Sequence, residues 1–245
     1  MNESASEPRR RGGGILGFLR DLVVILVVAF LVSFLLKTFL VRSFYIPSES
    51  MEQTLQVNDR ILVNQLVPDV MSVQRGDIVV FKDPGGWLLP RGTEPPQGFE
   101  KVLQAVGLAA DTSNEYVVKR VIGIGGDRVQ CCDAEGRVTV NGVPLDEPYI
   151  VIPPGEGGRA SKIDFDVTVP EDSVWVMGDN RYQSKDSRYN QDQPGRGFVP
   201  ESEIVGRAFV LNWPLNRFTW LGAPEGTFTG VEQAGEQARE KAAAQ

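Results

Sequence analysis

The chain has 245 residues, 42% of them hydrophobic, carries a formal charge of −7 and contains no histidine. That length allows one large domain or two small ones with a real core. The missing histidine excludes any Ser-His or Cys-His catalytic pair, so a reactive serine here must take its base from lysine or a carboxylate.

Met1 to Gly14, rich in Arg, Gly, Ser and Glu, reads as a disordered leader, residues 1–14. An apolar run follows. From Leu22 to Leu36 there is no charge and Ser33 is the one polar residue, and extension to Val41 gives the twenty residues that an α-helix needs to cross a bilayer of about 30 Å. The run has no polar face, which favours a transmembrane span over a core helix, and Lys37 can snorkel to the interface. Arg9, Arg10, Arg11 and Arg20 precede it, which places the N-terminus in the cytoplasm and the remainder outside. A cleavable signal would end in a small-residue site resembling Ala-x-Ala, and Lys37 to Phe44 offers none. Residues 15–42 therefore read as a permanent anchor.

Beyond Ser43 the chain holds 19 basic against 29 acidic residues, about −10, which argues against nucleic acid as a partner. Just past the anchor lies Phe44-Tyr-Ile-Pro-Ser-Glu-Ser-Met-Glu-Gln-Thr-Leu55, whose Ser50 is either a nucleophile or part of a polar linker. Arg60 to Leu66 and Asp77 to Phe81 are short β-branched runs separated by Pro68 and Gly76, in the manner of successive antiparallel strands. Asp83 to Gly98 is a breaker-rich loop in which Trp87, Leu88 and Leu89 either plug the core or dip into lipid. Phe99 to Leu108 has the spacing of a short amphipathic helix.

Tyr116 to Ile122 reads as a strand with Lys119 at its centre. Alternation puts Lys119 on one face with Val117 and Val121. If that face is buried, desolvation lowers the lysine pKa from about 10.4 by as much as 3 to 5 units; if it is solvated, the lysine is ordinary. Cys131 and Cys132 are adjacent, a strained setting for a bridge, so plain thiols or links to another chain are open alternatives. Two cysteines without histidine make no convincing zinc site, and no metal or other cofactor is expected.

Asn141-Gly142 is a strong hairpin signal. Val167 to Val169, Val174 to Met177 and Ile204 to Trp213 read as further strands, and Gly178-Asp179-Asn180-Arg181 as a tight turn ahead of the polar cluster Ser184, Lys185, Asp186, Ser187 and Arg188. The tail, residues 222–245, rich in Ala, Gln and Glu, reads as disordered.

Taken together, Ser48-Glu49-Ser50-Met51 after an anchor, Arg75-Gly76-Asp77-Ile78-Val79, Lys119-Arg120-Val121-Ile122-Gly123, and Gly178-Asp179-Asn180-Arg181 followed by Ser184, Asp186, Ser187 and Arg188 resemble the type I signal peptidases of bacteria. Four motifs in the right order are specific, and the resemblance covers the anchor and most of Ser43 to Trp213. It implies a mainly β fold, with an N-terminal transmembrane helix followed by an antiparallel β-sheet catalytic domain over residues 43–221. It further implies a membrane-anchored serine endopeptidase with a Ser/Lys dyad whose partners are exported preproteins bearing signal peptides, together with the lipid bilayer. By motif position Ser50 would be the nucleophile and Lys119 the general base. Ser184 would hydrogen-bond and orient the lysine amine, and Asp186 and Arg188 would form a supporting ion pair. The Ser48 hydroxyl and the Ser50 backbone N–H would make the oxyanion hole, while Phe44, Ile46, Met51 and Leu55 would line shallow pockets for small side chains before the cut. One position departs from the family: Gln53 stands where proline is usual, which bears on the rigidity of the turn after Ser50 and removes no reacting group.

Two other classes share part of this pattern. A repressor-type Ser/Lys autoprotease shares the sheet and the dyad, but it is cytoplasmic and carries a DNA-binding module, against which the span and the acidic outer domain argue. A non-catalytic, membrane-anchored β-rich binding protein would explain the strands and leave the four motifs unexplained. The penicillin-binding class is excluded because no serine here has a lysine three positions on.

Overall fold

In a computed structural model of the chain, residues 15–88 and 116–243 are described. Helix α1 (Ile15–Phe39) comes first. Its Gly17–Phe34 portion is long and apolar enough to cross a membrane, and no part of that portion is covered by the rest of the protein. Valines, leucines and phenylalanines are exposed along this helix, as on a candidate membrane span.

Helix α1 runs almost directly into strand β1 (Val41–Tyr45), the edge of the larger sheet. That sheet continues with β2 (Arg60–Asn64), β3 (Ile78–Lys82), β4 (Tyr116–Ile124), β9 (Ser173–Met177), β10 (Val199–Pro200), β11 (Ile204–Trp213) and β12 (Thr219–Trp220). Its order is β1-β2-β11-β3-β4-β9-β10, with β12 pairing the far side of β11, and every pairing is antiparallel. A smaller sheet holds β5 (Arg128–Cys131), β6 (Val138–Val140), β7 (Val143–Pro144) and β8 (Phe165–Thr168) in the order β7-β6-β5-β8. The architecture is thus mainly β and antiparallel, as the alternating and β-branched runs predict. In β2, inward Ile61 and Val63 alternate with Arg60, Leu62 and Asn64, whereas β3, in the middle of its sheet, is buried on both faces from Ile78 to Phe81.

Two faces of the larger sheet build two cores. One gathers Val79, Phe81, Val117, Val121, Val174 and Val176. The other gathers Phe44, Ile46, Met51, Leu55, Ile61 and Val63 with Ile78 and Val80. The alternation predicted for β4 holds: Val117 and Val121 are buried on the face that carries Lys119. The Asn141-Gly142 turn closes β6 on β7, with both residues at positive φ (54° and 79°) and Val140 facing Val143. Trp87 plugs the core, 4% exposed, with its ring edge-on to Phe81 at 5.6 Å. Leu88 packs against the same cluster, while Leu89 and the helix expected over Phe99 to Leu108 lie outside the described residues. Cys131 and Cys132 are joined to each other by a disulfide.

The tail departs from expectation. Within residues 222–245, helix α2 (Val231–Ala243) is ordered and docked on the smaller sheet. Val231 is fully buried among Val129, Val138 and Val140. Asn141 Nδ2 donates to the Val231 carbonyl at 3.3 Å, and Arg239 Nη2 to the Gly125 carbonyl at 3.0 Å. Ala, Gln, Glu, Lys and Arg are good helix formers, so a single buried valine suffices to pin the first turn of a segment that composition alone classes as mobile. Val231→Ala should lower the stability of the detergent-solubilised chain by about 2 kcal/mol, read as a drop in thermal midpoint. An unchanged midpoint would mean that the helix is not docked.

Candidate active site

The segment after β1 is extended through Ser48 (φ −135°, ψ 157°) and then tightens into a 3₁₀ turn, Glu49–Met51, with the Glu52 N–H on the Glu49 carbonyl. Ser50 is the middle residue of that turn. Met51 and Leu55 point into the core, and the Leu55 N–H donates to the Met51 carbonyl at 2.7 Å, so the segment turns back on itself around a buried methionine. Between them Gln53 sits at φ 85°, in the left-handed region that favours glycine or asparagine. A proline ring, fixed near −65°, cannot reach that angle.

Register supplies the partner. Strand β4 is paired with β3 from Tyr116 to Arg120, but with β9 only from Arg120 onward, where Arg120 faces Met177. The β9 side of Tyr116 to Lys119 is therefore an edge among the described residues. Ser50 enters there. The Asn180 N–H, just past the end of β9, donates to the Ser50 carbonyl at 3.1 Å. Gly178 has no side chain to spare: a Cβ there would collide with the Ser50 carbonyl and with Ser184.

Lys119 Nζ lies 2.7 Å from Ser50 Oγ and donates to the Val118 carbonyl at 2.9 Å. Lysine and serine are both buried, at 4% and 7% exposure. Desolvation pushes the Lys119 pKa down to about 8; the Asp186 and Asp179 carboxylates oppose that shift and the Arg188 guanidinium adds to it. An amine at this value is substantially neutral in mildly alkaline water and can accept a proton, which an ordinary lysine cannot do. Ser48 Oγ is 3.3 Å from Ser50 Oγ, so the two hydroxyls lie on one side of the segment.

The loop after β9 places its residues as follows. Arg188 clamps Asp186 with two bonds, Nε to Oδ1 at 2.8 Å and Nη2 to Oδ2 at 2.7 Å, and Asp186 also accepts from the Gly178 N–H at 2.9 Å. Burial pushes the Asp186 carboxyl upward, but Arg188 and the Gly178 N–H outweigh it and hold the group below the usual carboxylate range. Ser184 is buried beside this pair, yet its hydroxyl makes no well-formed hydrogen bond among the described residues, and the bond to the Lys119 amine implied by the resemblance is not made. Its nearness to Asp186 adds to the lowering of that carboxyl without the geometry of a hydrogen bond.

Phe44, Ile46, Met51 and Leu55 form one buried apolar cluster below the serine, joined by Val118 and by Tyr116, whose ring meets Phe44 edge-on at 5.2 Å. Tyr116 and Val118 are not among the residues singled out from sequence. Neither is the Arg120, Asp179 and Thr54 set. Arg120 grips Asp179 at 2.8 and 2.6 Å and reaches the Gly76 carbonyl at 2.9 Å, while Thr54 Oγ1 donates to Asp179 at 2.5 Å. Alternation held the signal: if Lys119 faces one core, Arg120 must face the other, and a buried guanidinium needs a carboxylate.

The family model described as "Signal peptidase, peptidase S26" matches residues 19–213. The chain belongs to this family. Among its relatives, a signal peptidase I of Mycobacterium tuberculosis (strain H37Rv) is 37% identical, over 82% of this chain and 74% of that protein. The signal peptidase I of Leptolyngbya laminosa is 39% identical over 77% of each. That of Bacillus amyloliquefaciens is 29% identical, over 87% of this chain and 96% of the other. The match to the signal peptidase family takes in both strands and loops that meet at Ser50 and Lys119.

Two stability measurements probe this geometry. Lys119 is protonated in both folded and unfolded chains below about pH 8, where the buried charge costs most; between about pH 8 and 10.5 only the unfolded chain keeps the proton, so stability rises with pH across that window. Lys119→Met removes the cost, so its unfolding free energy at pH 7 should exceed that of wild type, and the gap should shrink by about 3 kcal/mol toward pH 10.5. A gap that does not depend on pH would mean an ordinary lysine. At Gln53, glycine should stabilise by up to about 1 kcal/mol and proline should destabilise by at least as much; a proline variant as stable as wild type would refute the left-handed turn.

Proposed function

We propose that the chain is a membrane-anchored serine endopeptidase that removes N-terminal signal peptides from exported preproteins, cutting after small residues with a Ser50/Lys119 dyad. The observation that carries this reading is the 2.7 Å approach of a buried, depressed-pKa lysine to a serine hydroxyl in a chain without histidine. With Lys119 neutral, the Ser50 hydroxyl donates its proton to Nζ as Oγ attacks the scissile carbonyl. The Ser48 hydroxyl and the Ser50 backbone N–H receive the oxyanion. Protonated Lys119 then gives its proton to the departing amine, leaving an acyl-enzyme, and the Lys119 amine, neutral again, takes a proton from the water that hydrolyses it. The Asp186 and Arg188 pair fixes the loop that carries Ser184, for which the resemblance implies a bond to the amine that is not formed among the described residues. Phe44, Ile46, Met51 and Leu55 supply the apolar floor against which small side chains fit.

Helix α1 serves as the anchor, with the N-terminus in the cytoplasm, as the arginines at positions 9 to 11 and 20 favour, and the β domain outside. A preprotein is held in the same bilayer by its own apolar segment. Tethering both to one membrane raises their effective concentration without any added contact.

The test is to incubate the detergent-solubilised protein with a preprotein and follow the shortened product. Lys119→Arg, which keeps the charge but cannot be deprotonated, should abolish cleavage, and wild-type kcat/KM should fall on the acid side with an apparent pKa near 8. Ser48→Ala should lower kcat by roughly a hundred- to a thousandfold with KM little changed. Substantial cleavage by Lys119→Arg would remove the lysine from the role of base, and a folded Ser48→Ala within a few-fold of wild type would remove Ser48 from the oxyanion hole.

A further inference from the structure

The smaller sheet sends one loop back toward the reaction centre. After β7 the chain passes Leu145, buried in its own sheet, and returns so that the Val151 N–H donates to the Asp179 carbonyl at 2.9 Å. Between these points stand Glu147 and Tyr149, both buried. The Arg120 guanidinium lies over the Tyr149 ring, 4.1 Å from its centre. The Tyr149 hydroxyl donates to Glu147 Oε1 at 2.8 Å, and Glu147 accepts two bonds from Arg181, from Nη1 at 2.8 Å and from Nη2 at 2.5 Å. Arg181 is fully buried and its Nε reaches the Gly178 carbonyl at 3.2 Å.

Tyr149 therefore stands between two guanidinium-carboxylate pairs, each built on a residue of the loop that meets Ser50. On one side Arg120 holds Asp179, which accepts from Thr54 four residues after Ser50. On the other Glu147 holds Arg181, two residues beyond Asp179. An arginine fully withdrawn from water makes its in-plane bonds to Asp179 and Gly76, and its flat face needs a partner that competes for no hydrogen bond; an aromatic ring fits that need. We propose that Tyr149 is a positioning residue for the cleavage reaction, its ring holding Arg120 against Asp179 and thereby fixing, through Asp179 and Thr54, the turn that carries Ser50.

This inference rests on the Ser50/Lys119 reading. Its charge consequence separates it from simple packing. The charged groups acting on Lys119 are Asp179, Asp186 and Arg188, and Asp179 is the one whose partner is Arg120. If Arg120 loosens, the Asp179 carboxylate is less neutralised and pulls the lysine pKa upward, so the acid limb of the rate profile moves to higher pH. The phenol itself stays neutral: burial and the Glu147 charge push it well above its ordinary value.

Three forms of the full-length, detergent-solubilised protein test the proposal, each checked for folding by its thermal transition. Tyr149→Phe keeps the ring and loses only the bond to Glu147, which retains Arg181; it should cleave a preprotein within about threefold of wild type, with an unmoved acid limb. Tyr149→Leu removes the ring; kcat should fall about ten- to a hundredfold at nearly constant KM, and the acid limb should rise by about half a pH unit. Should Tyr149→Leu fail to fold, Tyr149→Met fills more of the space and carries the same expectation. A leucine or methionine variant that keeps wild-type kcat and acid limb overturns the proposal, as does a phenylalanine variant as impaired as the leucine one. Failure of the wild-type protein to cleave would instead overturn the Ser50/Lys119 reading.

Discussion

A charge that the fold would rather not carry sits at the centre of this molecule. Lys119 is enclosed on a valine face, and among the described residues no carboxylate is bonded to its amine; its partners there are a serine hydroxyl and a backbone carbonyl. Burial without a salt bridge is what separates a lysine that can accept a proton from the many that cannot. The surrounding structure follows from keeping it so. β4 must be held on the β3 side and left open on the other at Lys119, the serine must arrive at that opening, and nearby carboxylates must be neutralised before they re-stabilise the ammonium.

The buried ion pairs meet the last requirement. Asp179 and Asp186 each act on Lys119 to raise its pKa, and each is clamped by its own arginine through two bonds. A buried salt bridge is weak evidence for stability, since desolvating both partners costs much of what the pairing returns. Here the pairs do something that hydrophobic isosteres could not. They carry hydrogen bonds to Thr54 and to the Gly178 N–H, so the turn after Ser50 and the end of β9 are fixed by groups whose net charge is close to zero. The site thus gains rigid polar contacts, while desolvation outweighs the pull of the two carboxylates on the lysine.

Local chemistry was the legible part of the sequence. The strand periods, the Asn141-Gly142 hairpin, the last strand over Ile204–Trp213 and the face shared by Val117, Lys119 and Val121 all depend on neighbours in sequence, and the fold keeps them. Contacts between distant segments were illegible. Nothing near Tyr149 in the chain points to Arg120, and nothing in Thr54 points to Asp179, 125 positions away. The tail shows the same limit from the other side: its composition describes a solvated segment, and only the pocket that receives Val231 makes it a docked helix. Ser184 marks a third kind of gap, because its order in the motif does not fix the rotamer, and among the described residues its hydroxyl has neither the lysine amine nor another partner in hydrogen-bonding geometry.

The short path from helix to Ser50 sets where such a site can work. Ser50 follows the end of α1 at Phe39 by eleven residues, of which Val41–Tyr45 are already strand β1. Fully extended, that stretch spans at most about 36 to 40 Å, and the 3₁₀ turn shortens it. β1 is itself paired to β2 through five consecutive residues, so the path is a stiff ladder and no slack linker. With α1 in a bilayer, Ser50 is confined to a layer within that reach of the membrane surface, and the larger sheet is oriented by the strand that leaves the helix. A peptide whose own apolar helix ends in the same bilayer presents its next few residues in that same layer. Under the proposed function, selection of the bond to be cut would then be partly a matter of distance from the membrane, and the apolar cluster of Phe44, Ile46, Met51 and Leu55 would have only to discriminate side-chain size among the few positions that the tether allows.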